Sequence, residues 1–101
     1  MEECALHRDH GSARPAILVT HHIVPLGMDG PDVATNKIRI CDNGHRSVHT
    51  VLAALVFDRP IPVGVGCRTE RALAREGFDR WVALGRPGNA HAAYALAGGH
   101  P

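Results

Sequence analysis

Hydrophobic and polar positions in the first half of the chain predict two strands followed by a helix. The run from Ala16 to Pro25, AILVTHHIVP, is rich in β-branched residues and ends at a proline, which favours a strand. In the run from Asn36 to Cys41, Lys37 and Arg39 alternate with two isoleucines, the period of two that is typical of a half-buried strand. We expect the two strands to pair as an antiparallel hairpin.

The connection between the strands and the segment after them have different patterns. LGMDGPDVAT contains two glycines, a Gly-Pro step and two aspartates, which predict an irregular loop that returns the chain. Asp42-Asn43-Gly44 then breaks the second strand, and Asp42 or Asn43 could cap a following helix. The apolar residues of that helix are spaced three and four apart: Val48, Val51, Leu52, Leu55 and Val56.

The remaining segments extend this core on both sides. Residues 1–15 are polar and without a sustained period, which predicts a loosely structured lead-in. A stretch rich in proline and glycine ends the first helix, Thr69 to Leu84 predicts an amphipathic helix with Phe78 and Trp81 available for packing, and Ala90 to Ala97 a short third helix. The prediction is one α+β domain, with a ββα core over 16–57 and a linker and helical extension over 58–101.

Length, charge and cysteine content place only broad limits on the number of domains, the partners and the localisation. A chain of 101 residues accommodates one domain, and a domain this small gains useful stability from a bound metal. Eleven Lys and Arg against ten Asp and Glu neither imply nor exclude a nucleic-acid partner. Three cysteines without a secretory leader argue against a disulfide framework, and no apolar run is long enough to span a membrane, so we expect a soluble, cytoplasmic protein.

Candidate chemistry is concentrated in the histidines of the predicted ββα core. His45 and His49 are four apart on the predicted helix, so both imidazoles can reach one ion. His21 or His22 on the hairpin can supply a third ligand. Because adjacent strand residues point to opposite faces, the other histidine is left free as a base. One cation and one free histidine are the groups that phosphodiester hydrolysis requires.

The order of these residues is similar to a known motif. His21-His22-Ile-Val-Pro-Leu, then Gly-Pro, then Asn36-Lys-Ile-Arg-Ile-Cys, then His45-x-x-x-His49 resembles the HNH (ββα-metal) endonucleases over residues 17 to 52. It is closest to the pattern of the nuclease colicins and small phage HNH proteins. The resemblance implies a single-metal nuclease with His21, His45 and His49 as metal ligands and His22 as general base. It also implies that Asn36 braces the loop and holds His22 in its orientation.

The same resemblance leaves the metal open. Many members of the family have an acidic residue where His21 stands and use magnesium or manganese, whereas an all-nitrogen site favours zinc or nickel. Many also hold a structural zinc on two C-x-x-C knuckles. Only remnants of these occur here, and Cys4, His7 and Cys41 could form such a site only with a fourth donor, for which His10 is a candidate.

The resemblance implies double-stranded DNA as substrate, cut to leave 5′-phosphate and 3′-hydroxyl ends. Arg39 and Arg46 flank the site and could hold the phosphodiester, or be solvated surface charges. The arginines of the second helix could form a DNA-binding face or a solvated one. A lone metal centre cuts one strand at a time, so a concerted double-strand break would need a homodimer.

Two other functions fit the same residues. A metal-stabilised ββα unit can dock on nucleic acid without cutting it. Alternatively, the chain could be an accessory subunit of a phage packaging or restriction complex, with contacts through Phe78, Trp81 and Tyr94.

Overall fold

The computed structural model describes residues 17–88, which form a two-stranded antiparallel hairpin and two α-helices. The elements are β1 (Leu18–His22), β2 (Lys37–Cys41), α1 (Asp42–Val56) and α2 (Arg68–Ala83). The α+β class and the order strand, loop, strand, helix are confirmed. The lead-in, with Cys4, His7 and His10, and the helix expected over 90–97, with Tyr94, lie outside the described residues.

The hairpin is shorter than the sequence predicts. His22 pairs with Lys37 at one end of the ladder and Leu18 with Cys41 at the other. Beyond His22, the Ile23 amide still donates to the Asn36 carbonyl at 2.8 Å. Asn36 itself belongs to a 3-10 turn, Ala34–Asn36, so the prediction that β2 begins there is wrong by one residue.

The connection between β1 and β2 is irregular, as predicted, but it is packed against the protein. Met28, at the end of the 3-10 turn Leu26–Met28, is fully buried. A Cβ atom on Gly30 would lie 1.8 Å from the Val24 carbonyl oxygen, so the chain passes there only with glycine. The loop is therefore held close to the end of β1.

Helix α1 follows β2 without an intervening residue. Its N-cap is Cys41, whose Sγ accepts a hydrogen bond from the Gly44 amide at 3.2 Å, so the prediction of Asp42 or Asn43 as the cap is wrong. Cys41 is the last residue of β2, so its backbone has the extended conformation that an N-cap residue requires. The predicted apolar face is confirmed: Val48, Val51 and Leu52 are buried, and Leu55 and Val56 are partly buried against the core.

Helix α2 completes the core and is displaced by one residue at each end from the predicted Thr69 to Leu84. It packs closely on the end of β1, because a Cβ atom on Gly77 would lie 2.3 Å from the Ile23 carbonyl oxygen. Trp81 is buried, as predicted, and its Nε1 donates to the Pro87 carbonyl at 2.9 Å. Within residues 17–88, neither helix has the length and apolar character of a membrane span.

Candidate metal centre

Three histidines meet where α1 packs on the hairpin. His21 comes from β1, and His45 and His49 come from successive turns of α1. Their ring centroids are 4.4 Å apart for His45 and His49, 5.0 Å for His21 and His49, and 5.3 Å for His21 and His45. The histidine of the hairpin that belongs to the cluster is thus His21, not His22.

The cluster is largely shielded from water and poorly supplied with hydrogen bonds. His21 is 0% exposed and His49 6% exposed, whereas His45 is half-buried. Among the described residues, neither ring nitrogen of His21 and not the Nδ1 of His49 has a hydrogen-bond partner. Leaving buried polar atoms unpaired costs roughly 1–3 kcal/mol each, which makes three such atoms in one cluster unusual. A cation bound through one nitrogen of each ring would give one of the two His21 nitrogens a partner.

The electrostatics favour the form of imidazole that binds metals. Burial, with the neighbouring histidines, lowers the pKa of His21 to about 4 and that of His49 to about 3. Burial also lowers the pKa of His45, partly opposed by the nearby Asp42 carboxylate. All three are therefore neutral near pH 7, and a neutral imidazole can donate a lone pair to a cation.

The distances fit a first-row divalent ion. The Nε2 atoms of His45 and His49 are 2.9 Å apart, and one ligand nitrogen from each of the three rings lies within 4.8 Å of the others. Bonds of about 2.1 Å in tetrahedral geometry place nitrogen ligands roughly 3.4 Å apart. Modest ring rotations would therefore bring all three nitrogens onto one ion. The three histidines lie close enough together to bind a metal.

His22 lies on the opposite face of the hairpin, outside the cluster. Its side chain is 21% exposed, and its Nε2 is 2.9 Å from Oδ1 of Asp32. The same Oδ1 is 2.9 Å from the Lys37 ammonium. Lys37 and His22 hold the pKa of the Asp32 carboxyl below its usual range. The free histidine that the sequence predicts is thus paired with a carboxylate.

Asn36 is buried and its side chain bonds to the backbone of Val24 and Pro31, not to His22. Its Oδ1 accepts from the Val24 amide at 2.9 Å, and its Nδ2 donates to the carbonyls of Val24 and Pro31 at 3.0 and 2.8 Å. The loop segment before Asp32 is therefore tied to the chain that follows β1. Through Pro31, Asn36 supports the backbone of the neighbouring residue Asp32, whose carboxylate contacts His22.

The two arginines considered for phosphate binding have different settings. Arg39 shares the open face of the hairpin with His22, and its Nη1 donates to Thr20 Oγ1 at 3.2 Å. A surface cavity of about 310 Å³ is lined there by Thr20, Ala34, Lys37, Ile38 and Arg39. Arg46 is exposed on α1 and lies 3.7 Å from the Asp42 carboxylate.

Of the residues considered for a structural zinc site, only Cys41 lies in the described part of the chain. Its thiol is buried, and the Sγ atom caps α1. Cys4 and His7 lie outside the described residues. Cys67, the other cysteine of the described part, is exposed just before α2.

Three of the four arginines of α2 bond to other groups of the protein. Arg71 donates to the carbonyls of Val65 and Gly66, and Arg75 pairs with Asp79 at 3.1 Å. Arg80 pairs with Glu76 at 2.8 Å and donates to the Thr35 carbonyl. These contacts favour the solvated-helix interpretation over a DNA-binding face.

The sequence pattern does not single out Asp32 as a functional residue. Aspartate after proline is ordinary in a turn, and the turn composition of the loop accounts for it fully. The only available signal is its position in the same loop as Asn36.

Comparison with known proteins adds no relative to this description: no family model, no curated protein and no solved structure matches the chain.

Proposed function

We propose that this protein is a metal-dependent endonuclease of the HNH type that hydrolyses phosphodiester bonds in DNA. The observation that carries the proposal is the arrangement of four histidines. Three neutral imidazoles converge in a buried cluster, and the fourth, next in sequence to one of them, stands apart beside a carboxylate. Metal-assisted hydrolysis with a separate general base needs these two kinds of histidine.

His21, His45 and His49 would hold the ion. When bound, a divalent cation polarises the phosphate and stabilises the charge that develops on the leaving oxygen. Three protein ligands are typical of catalytic zinc, whereas structural zinc usually has four. Within residues 17–88, the cluster supplies three histidines, which supports a catalytic role.

His22 would take the proton from the attacking water. Histidine is the side chain that most often serves as a general base near neutral pH. The Nε2 of His22 is occupied by Asp32, and its partial exposure gives water access to the ring.

The positions of Lys37 and Arg39 are consistent with an anionic, extended substrate. Both lie on the same face of the hairpin as His22, because residues at alternate positions and directly opposite one another share a face. A guanidinium and an ammonium beside a surface cavity can contact successive phosphates of a nucleic-acid strand.

A non-cleaving, metal-stabilised nucleic-acid-binding module is the second candidate. The complete burial of His21 favours it, since a metal this far inside the protein can serve folding alone. The accessory-subunit alternative loses one of its expected contacts, because Trp81 is a core residue.

Plasmid nicking separates the two candidates. Purified wild type, His22→Ala and His45→Ala are each assayed with Mg²⁺, Mn²⁺, Ni²⁺ and Zn²⁺, and metal content is measured in parallel. A nuclease should nick as wild type, lose at least about 100-fold of its rate as His22→Ala while keeping its metal, and lose both metal and activity as His45→Ala. DNA binding without nicking by wild type, with every ion, would overturn the proposal and favour the binding module.

A further inference from the structure

The loop carboxylate of Asp32 joins a pair of residues that face each other across the hairpin. His22 and Lys37 are direct partners in the β1–β2 ladder. A single oxygen, Asp32 Oδ1, is 2.9 Å from His22 Nε2 and 2.9 Å from Lys37 Nζ. Two strand residues and one loop residue are thus fixed relative to one another by one atom.

The charge on Asp32 determines which nitrogen of His22 carries the proton. The ammonium of Lys37 and the hydrogen bond from His22 lower the pKa of Asp32, so the carboxylate is ionised at neutral pH. An ionised carboxylate can only accept hydrogen bonds, so His22 Nε2 must be the donor. In a neutral imidazole the other nitrogen, Nδ1, then keeps its lone pair. Among residues 17–88, nothing forms a hydrogen bond with that nitrogen.

The loop that carries Asp32 is anchored on the side of the protein core. Asn36 Nδ2 donates to the carbonyl of Pro31, the residue immediately before Asp32. Gly30 lies so close to Val24 that no larger residue fits. The main chain on the N-terminal side of Asp32 is therefore well fixed, although the carboxylate itself is exposed.

We propose that Asp32 is a positioning residue, which holds His22 as the Nε2–H tautomer and leaves Nδ1 as the atom that accepts a proton. This role rests on the proposed nuclease function, in which His22 is the base. Lys37 keeps the carboxylate charged and on the His22 side of the loop. Asn36 acts one step further away, because it fixes the backbone from which Asp32 extends.

The tautomer is tested on the full chain by long-range ¹H–¹⁵N spectra at neutral pH, with the His22 signals assigned by their absence in His22→Ala. Wild type should show a protonated Nε2 and a bare Nδ1. Asp32→Ala should give a mixture of both tautomers, and so should Asp32→Asn, because its neutral amide can donate a hydrogen bond as well as accept one. A bare Nε2 in wild type, or an unchanged spectrum in Asp32→Ala, would overturn the assignment whether or not the protein cuts DNA.

The consequence for catalysis is tested by nicking kinetics and zinc affinity. Asp32→Ala should lower kcat about 10- to 100-fold, the usual effect of removing a group that orients a functional histidine, with KM and zinc affinity unchanged. Asp79→Ala is the matched control, since Asp79 is also an exposed aspartate paired with a cation, on α2. An effect confined to KM would mean that Asp32 acts on substrate binding instead. An inactive wild type would contradict the nuclease function, while the spectra would still decide the tautomer.

Discussion

The two faces of the β1–β2 hairpin carry histidines that are adjacent in sequence but have different surroundings. On the buried face, His21 meets His45 and His49, and its nitrogens have no hydrogen-bond partner in the described part of the chain. On the open face, His22 contacts a charged pair of side chains. Burial keeps the first group of imidazoles neutral, the form that can bind a cation, while the imidazole on the other face lies 2.9 Å from a carboxylate oxygen. The alternation of a strand is sufficient to separate the proposed metal ligand from the proposed base.

The largest expected effect comes from removing a histidine on one face and then on the other. His21→Ala should weaken zinc binding by more than about 100-fold, because changes even outside the ligand set cost 10- to 100-fold. His22→Ala, one position away, should bind zinc within about threefold of wild type. Competition with a chromophoric chelator measures both. Equal losses in the two variants would contradict the division between the faces.

Between pH 7 and pH 4, the pH dependence of stability should come mainly from the buried face. The unfolded chain binds protons at His21 and His49 near pH 6.5, whereas the folded protein resists them until about pH 4 and about pH 3. Below pH 6.5 the unfolded state therefore holds more protons, and the free energy of unfolding falls as the pH drops. We expect a loss on the order of a few kcal/mol between pH 7 and pH 4 in metal-free protein.

Urea unfolding in the presence of a chelator, at several pH values, measures this loss. The matched variants are His49→Gln, which should flatten the dependence, and Thr35→Ala, an exposed substitution without a titrating group, which should leave it as in wild type. If His49→Gln left the dependence unchanged, the buried cluster would not be its source.

Asn36→Ala should destabilise the loop that supports the open face. The substitution leaves three buried or part-buried backbone groups, the amide and carbonyl of Val24 and the carbonyl of Pro31, without their side-chain partner. The expected cost is about 2–3 kcal/mol in the free energy of unfolding. Denaturant unfolding measures it, and Thr35→Ala on the neighbouring exposed position is the control. A change below about 0.5 kcal/mol would mean that water replaces the amide.

Arg46→Gln should have the smallest effect on stability. Its pair with Asp42 is exposed and 3.7 Å long, and such pairs contribute roughly 0–1 kcal/mol. Any larger consequence should therefore appear in DNA binding, which a salt titration of oligonucleotide affinity would detect. If Arg39→Gln weakens binding and Arg46→Gln does not, the substrate lies on the open face of the hairpin.

The parts of this fold that the sequence predicts are those with a local pattern. The alternation around Ile38 and the three-and-four spacing from Val48 onward follow from which face is buried, so the hairpin and α1 are evident. The His45 and His49 pair follows from helical geometry in the same way. The choice of His21 over His22 depends on the direction in which α1 packs, which no local pattern contains.

The features that the sequence does not predict depend on contacts between residues distant in sequence, or on where a strand ends. Just beyond the end of β1, the Asn36 carbonyl accepts from the Ile23 amide and the Asn36 side chain accepts from the Val24 amide. Cys41 takes the capping role because β2 does not end before it. Asp32 contacts His22 only because the folded loop packs against Val24. The composition of the loop predicts a turn but not this contact.

The direct passage from β2 into α1 makes the centre sensitive to chain length at one point. A helix advances about 100° per residue, so one residue inserted between Cys41 and Asp42 would turn His45 and His49 away from His21 by that angle. Substitutions at this junction would change how well α1 is capped. A single insertion or deletion would instead rotate both His45 and His49 relative to His21. Homologous chains that keep this centre should therefore vary in residue type at the junction but not in length.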